Sequence, residues 1–134
     1  MQLNAQFNLV GEAYEYMDSC FVLTENEFNK VGAFWFLEKV DLSESFSVQA
    51  ELFFGSRNAG ADGIVFALQP LSSNAGTAGG GIGIQGVNPS LFIEMDTWQN
   101  GGADDPSFDH IAIMKNGSLD HDSSNNLDLS LIHI

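Results

Sequence analysis

Apolar and polar residues alternate along several stretches of the chain, and a period of two marks a strand with one face on a core. The clearest case is Phe46 to Phe54, F-S-V-Q-A-E-L-F-F, which puts Phe46, Val48, Ala50 and Leu52 on one face and Ser47, Gln49 and Glu51 on the other. Ile64 to Leu68, Leu91 to Asp96 and His110 to Lys115 are short β-branched or aromatic runs bounded by Gly, Pro and Asn clusters, so each predicts a further strand. Earlier strands are expected around Phe7 to Val10, Phe21 to Thr24 and Ala33 to Leu37, with Trp35 and the Phe-rich strands read as core. No window carries a sustained helical stripe with capping signals at both ends. Many short strands between turn signals predict an all-β sandwich or barrel. A glycine-rich loop runs from Gly76 to Gly86 and a second long loop from Gly101 to Phe108, and neither a repeat nor a linker marks a second domain.

Composition narrows the partners. A chain of 134 residues, 44% apolar and with 11 Phe, can bury the core of one globular domain. Eighteen acidic residues against four basic ones give a formal charge of -14, which repels phosphate backbones and anionic lipid surfaces. Nucleic acid and membrane insertion are therefore not expected, whereas divalent cations are. No apolar run reaches the length of a spanning helix, and Met1 to Leu9 lacks the basic-then-apolar organisation of an export signal. Cys20 is the only cysteine, which excludes a disulfide framework and a paired-thiol metal site and predicts a buried, inert thiol. The last six residues, Leu129 to Ile134, look like a translated sequencing-adapter end. They are read as a non-native scar, so that the domain occupies residues 1–128. An ordinary strand continuing from Asn126 is the alternative that their alternation also allows.

Candidate chemistry is concentrated between Glu94 and His110. Glu94 and Asp96 are two residues apart on a strand, so both carboxylates project from one face with Cα atoms about 6.6 Å apart, twice the rise per residue. Two carboxylates on an otherwise apolar strand are costly to bury unless a cation sits with them. The following loop adds Asn100, Asp104 and Asp105, and His110 opens the next strand, which brings it beside Glu94 if the two strands are adjacent. Carboxylate and amide oxygens suit calcium, whereas imidazole suits a transition ion such as manganese. Two neighbouring ions sharing Asp96 and Asp105 would use every ligand. Asp104 and Asp109 are expected to be solvated.

The string E-x-D-x-W-x-N from Glu94 to Asn100, followed after four residues by D-P-S-F-x-H-I-x-I from Asp105 to Ile113, resembles the metal-binding segment of legume-type (L-type) lectins and their bacterial and animal relatives. G-A-D-G-I-V-F-A-L at Gly60 to Leu68, G-G-G-I-G-I at Gly79 to Ile84 and P-S at Pro89 to Ser90 match as well. The weaker G-E-A at Gly11 to Ala13, L-T at Leu23 to Thr24 and V-G-A-F-W at Val31 to Trp35 are closest to the bacterial members. The resemblance implies a concanavalin-like antiparallel jelly-roll sandwich, incomplete at its C-terminus. It further implies that Glu94, Asp96, Asp105 and His110 hold manganese or a similar transition metal, and that Asp96, Asp105, Asn100 and the backbone carbonyl of Trp98 hold calcium. By the same resemblance Asp62 is the sugar-binding aspartate, preceded by a cis Ala61-Asp62 peptide. Asn100 contacts both calcium and sugar, the Trp98 ring serves as the aromatic platform, and Gly80 or Gly81 offers a backbone N–H. Physical chemistry agrees with such a set. A carboxylate, an amide and an N–H can fix a pair of sugar hydroxyls while a ring covers the apolar face of the pyranose.

The function expected is calcium-dependent binding of a saccharide or glycoconjugate without catalysis, outside the cell, with oligomerisation through sheet surfaces compatible with the fold. Two other readings compete with it. A jelly-roll glycoside hydrolase would need a second glutamate on the Glu94 strand, where Trp98 or Gln99 stands instead, so the acid/base is missing. A calcium-stabilised adhesion module without sugar affinity would keep the metal ligands and lose the sugar loops. For Trp98 the alternative role is core packing, and for Asp62 a turn aspartate beside glycines.

Overall fold

The computed structural model describes residues 6–74, 79–102 and 104–131. Its strands are β1 (Phe7–Gly11), β2 (Tyr14–Met17), β3 (Cys20–Val22), β4 (Gly32–Phe36), β5 (Gly63–Leu68), β6 (Leu91–Asp96), β7 (His110–Lys115) and β8 (Asn126–Leu131), with one short 3-10 turn at Gly79–Gly81. There is no α-helix among the described residues, and no helix long and apolar enough to cross a membrane. All pairings are antiparallel: β1 with β4, β2 with β3, and a four-stranded sheet in the order β5-β6-β7-β8. The chain is all-β, as its alternation and turn signals predict.

The four-stranded sheet carries the core and the candidate site on one face. Its register aligns Ala67, Phe92 and Met114 in one row, Val65, Glu94 and Ala112 in the next, and Gly63, Asp96 and His110 in a third. These rows lie two residues apart along each strand, so they share a face. Phe92, Ala112 and Met114 are buried there under Ile84 and Val87 from the chain after the 3-10 turn, with Val65, Ala67 and Leu119 packed at the margin. The buried face therefore runs from an apolar end into a polar one. Gly63 makes the pairing at that polar end possible. Its φ is +153°, and a Cβ there would lie 2.3 Å from the Met95 carbonyl oxygen. A separate aromatic cluster joins β1, β3 and β4, with Phe7 within 4.7 to 5.4 Å of the rings of Phe21, Phe34 and Phe36.

Several expectations need correcting. Residues 46–54 do not form a strand: none of the described residues pairs with them, and Phe46, Val48, Leu52 and Phe53 are exposed rather than core. Alternation supplies a face, but a strand also needs a neighbour whose N–H and C=O groups complete the ladder. Cys20 is exposed, because it opens β3 in a tight ribbon with β2, a strand exposed along its whole length. That same uniform exposure, with no alternation to detect, hid β2 from the sequence reading. Apart from these corrections, residues 129–131 of the expected scar form the end of β8, paired with Ala112, Ile111 and His110. Residues 132–134 of the expected scar, and residues 75–78 of the glycine-rich loop, lie outside the described residues.

Candidate functional site

Glu94 and Asp96 on β6 project from the buried face, as the two-residue spacing requires, and are 0% and 3% exposed. Strand register places His110 opposite Asp96 rather than Glu94. Its ring nevertheless reaches diagonally, with Nε2 3.0 Å from Glu94 Oε1 and 3.7 Å from Asp105 Oδ1. His121, in the connection between β7 and β8, joins them: its Nε2 is 2.9 Å from Glu94 Oε1 and 3.1 Å from His110 Nε2. Two groups of potential ligands result, Glu94 with His110 and His121, and Asp96 with Asp105 and His110. In each, the ligand atoms lie within 4.8 Å of one another. The four residues that the resemblance assigns to a transition metal thus fall in two groups joined through His110, and His121, which the sequence reading did not single out, completes the first. The only hint of it was a histidine between two aspartates, Asp120-His121-Asp122, a pattern with no ligand spacing of its own.

Hydrogen bonding shows whether these residues suit a cation. His110 Nδ1 lies 3.2 Å from the Phe108 carbonyl oxygen. A carbonyl only accepts, so Nδ1 carries the proton, and in the neutral ring the lone pair of Nε2 is turned toward Glu94. That is the tautomer and the outer support of a metal-binding histidine. Glu94 Oε2 and Asp105 Oδ1 are buried without a hydrogen-bond partner. Burial pushes the Asp96 carboxyl up to about 7 against the opposing hydrogen bond from the Trp98 N–H, and the charges of Asp105 and Glu94 add to the rise. For His110, burial lowers the pKa, but the hydrogen bond with Glu94, the Phe108 carbonyl and the charges of Asp96 and Glu94 outweigh it, so the net shift is upward. Together they describe carboxylates and imidazoles packed closely in a site that excludes water. The residues fit divalent cations, the oxygen donors calcium and the imidazoles a transition ion.

The loop after β6 is wrapped around the same carboxylates. The Trp98 N–H donates to Asp96 Oδ1 at 2.6 Å, the Asn100 N–H donates to Asp105 Oδ2, and Gln99 Nε2 donates to the Asp105 carbonyl at 3.1 Å. Asp105 is buried, Asp104 is exposed as expected, and Asp109 is half-buried rather than solvated. Asp104, Asp120 and Asp122 line the open mouth beside Asn100 and Asp105, which keeps the approach to the site negative.

Three of the residues assigned to a saccharide, Asp62, Gly80 and Asn100, meet at the edge of this loop. The Ala61-Asp62 peptide is cis. Asn100 Nδ2 donates to Asp62 Oδ1 at 3.3 Å, and a Cβ built on Gly80 would lie 2.9 Å from that same Nδ2. The Asp62 carbonyl accepts from the Thr97 N–H at 3.0 Å, and Thr97 Oγ1 lies 3.3 Å from both the Gly60 and Asp62 carbonyls. Thr97 directly follows Asp96, so Asp62 is tied to the backbone of a candidate metal ligand. The two glycines differ: Gly80 is exposed, whereas Gly81 is buried with its carbonyl taken by the Ile84 and Gln85 N–H groups. Trp98 is 47% exposed, so its ring is not core.

Comparison with known proteins agrees with this geometry. The family model of the legume lectin beta-barrel domain matches residues 1–132. Among curated proteins, the pesticidal crystal protein Cry22Aa of Bacillus thuringiensis is 35% identical over 94 residues. That match spans 68% of this chain but only 13% of the relative's length.

Proposed function

Because the chain belongs to the legume lectin (L-type) domain family, a family of carbohydrate-binding modules, we propose that it binds a saccharide reversibly, without catalysis, in a manner that depends on calcium. The observation that carries this reading is the convergence of Asp62, Asn100 and Gly80, held through Thr97 to the strand end that bears Asp96. The Asp62 carboxylate accepts from sugar hydroxyls, while the Asn100 amide both accepts and donates. Gly80 leaves room for the saccharide to approach the backbone, and the exposed Trp98 ring offers a flat apolar surface to a pyranose face. Calcium would be held by Asp96, Asp105, Asn100 and the Trp98 carbonyl, and a transition ion by Glu94, Asp96, Asp105 and His110. The ions would supply positive charge that lets these carboxylates stay ionised while buried, and so keep the loop from Thr97 to Asp105 in its binding shape. The place of action is extracellular or at the cell surface, where calcium is abundant.

Glycan-array binding by the chain in calcium is the direct test. Binding is expected to disappear with a chelator and, separately, in Asp62→Ala. A glycan signal that survives both treatments would overturn the assignment of this site.

A further inference from the structure

We propose that His121 is itself a ligand of the transition ion, so that Glu94, His110 and His121 form a face of two imidazoles and one carboxylate that favours zinc, cobalt or nickel over manganese. This rests on the reading above that the cluster around Glu94 and His110 holds a transition ion, and it changes which ion that is.

The first support is the shape of the cluster. Glu94 Oε1, His110 Nε2 and His121 Nε2 form a nearly equilateral triangle with sides of 3.0, 2.9 and 3.1 Å. Donors about 2.1 Å from an ion are about 3.0 Å apart when they meet at right angles and about 3.4 Å apart in a tetrahedron. The triangle therefore has the size of one face of an octahedron. The imidazole planes are inclined at 79° with ring centroids 4.8 Å apart, which lets both Nε2 lone pairs converge without the rings colliding.

The second support is that, with both imidazoles neutral as a metal ligand requires, hydrogen bonds alone do not satisfy the triangle. The Phe108 carbonyl keeps the His110 proton on Nδ1, and an ionised carboxylate has no proton to give. In the neutral rings, His121 is left as the only corner able to donate, and one N–H cannot serve three edges. A cation at the common centre satisfies all three lone pairs at once. Glu94 Oε2, fully buried and without a partner, adds an unsatisfied acceptor at the same place. His121 is held there independently of any ion, because Asn126 Nδ2 donates to its carbonyl at 2.8 Å and so ties the connection to the start of β8.

Ion preference follows from donor type. Manganese suits carboxylate and water oxygens, whereas each added imidazole favours the later ions of the first row. A second neutral imidazole also leaves the charge of the site unchanged, so it alters selectivity more than attraction for cations in general.

The test uses the whole chain, stripped of metal and titrated calorimetrically with manganese, zinc and nickel, beside His121→Ala, His121→Gln and Asp96→Ala. In both His121 variants the zinc-to-manganese and nickel-to-manganese affinity ratios are expected to fall about tenfold or more, with calcium binding retained. Pulsed electron paramagnetic resonance of the copper-loaded chain is expected to count two coordinated imidazoles in the wild type and one in His121→Ala. Unchanged affinity ratios, or a single coordinated imidazole in the wild type, would overturn the proposal, and the second readout needs no variant to fold. If Asp96→Ala loses metal while the His121 variants keep wild-type ratios, only this inference fails. If the wild type binds no transition ion at all, the reading beneath it fails as well.

Discussion

At the scale of single residues, two glycines and one carboxylate make contrasting predictions. A methyl group on Gly63 would meet the Met95 carbonyl oxygen at 2.3 Å, at a φ that side chains rarely adopt. Backbone cannot move aside as a side chain can, so Gly63→Ala should cost about 2 kcal/mol or more in a urea melt. Gly80→Ala meets only the end of the Asn100 side chain, at 2.9 Å. It should therefore leave stability within about 1 kcal/mol of wild type while weakening saccharide binding, because the displaced amide leaves Asp62. Equal loss of stability in the two variants would contradict the assigned geometry. Asp96 belongs to a candidate metal-binding group with Asp105 and His110. Asp96→Ala is expected to abolish the rise in melting temperature that calcium gives the wild type, as measured by differential scanning calorimetry.

At the scale of elements, β6 and β7 do the organising. Each alternates between a side buried against Ile84 and Val87 and a side that is exposed or half-buried, so one pair of strands builds the small core and extends it into the carboxylate cluster. Phe92 is the largest fully buried side chain, at 1% exposure, and its removal leaves a void beside Met114 and Ala112. Phe92→Ala should cost about 3 to 5 kcal/mol in the same melt. Ala112 and Met114 are legible as core in the strand from His110 to Lys115, since alternation there agrees with the ladder that forms. Residues 46–54 show the opposite case. Their alternation is at least as regular, yet no ladder among the described residues holds them, and their amides should exchange with solvent far faster than those of β6 and β7.

At the scale of the whole molecule, charge and exposed apolar surface pull in different directions. A net charge of -14 favours solubility and cation uptake. Against it, Leu91, Ile93 and Ile113 are exposed on the outer face of the four-stranded sheet, and Phe46 and Phe53 are exposed elsewhere. Apolar rows of that kind, with unpaired strand edges, predict that the isolated chain self-associates at rising concentration. Sedimentation velocity showing a monomer, together with a sharp two-state melt, would contradict that expectation. The proposed metal and saccharide sites share Trp98 and Asn100, so chelation should lower glycan affinity with the covalent structure of the chain unchanged.

The sequence by itself determined the all-β class, the positions of β5, β6 and β7, the shared face of Glu94 and Asp96, and the family. Each of these depends on spacing along the chain or on a short motif, and both are visible without coordinates. The tertiary structure decided what depends on a distant neighbour. It left residues 46–54 without a partner strand among the described residues, exposed Cys20, set His110 opposite Asp96 yet within reach of Glu94, and separated Gly80 from Gly81 by burial. His121 is the sharpest instance. Eleven residues beyond His110 it matches no ligand spacing, and it becomes part of the cluster only because the connection from β7 to β8 folds back over the buried end of the sheet. The carboxylates that open the site were legible because strand geometry repeats every two residues, whereas the loop that closes it has no such period to read.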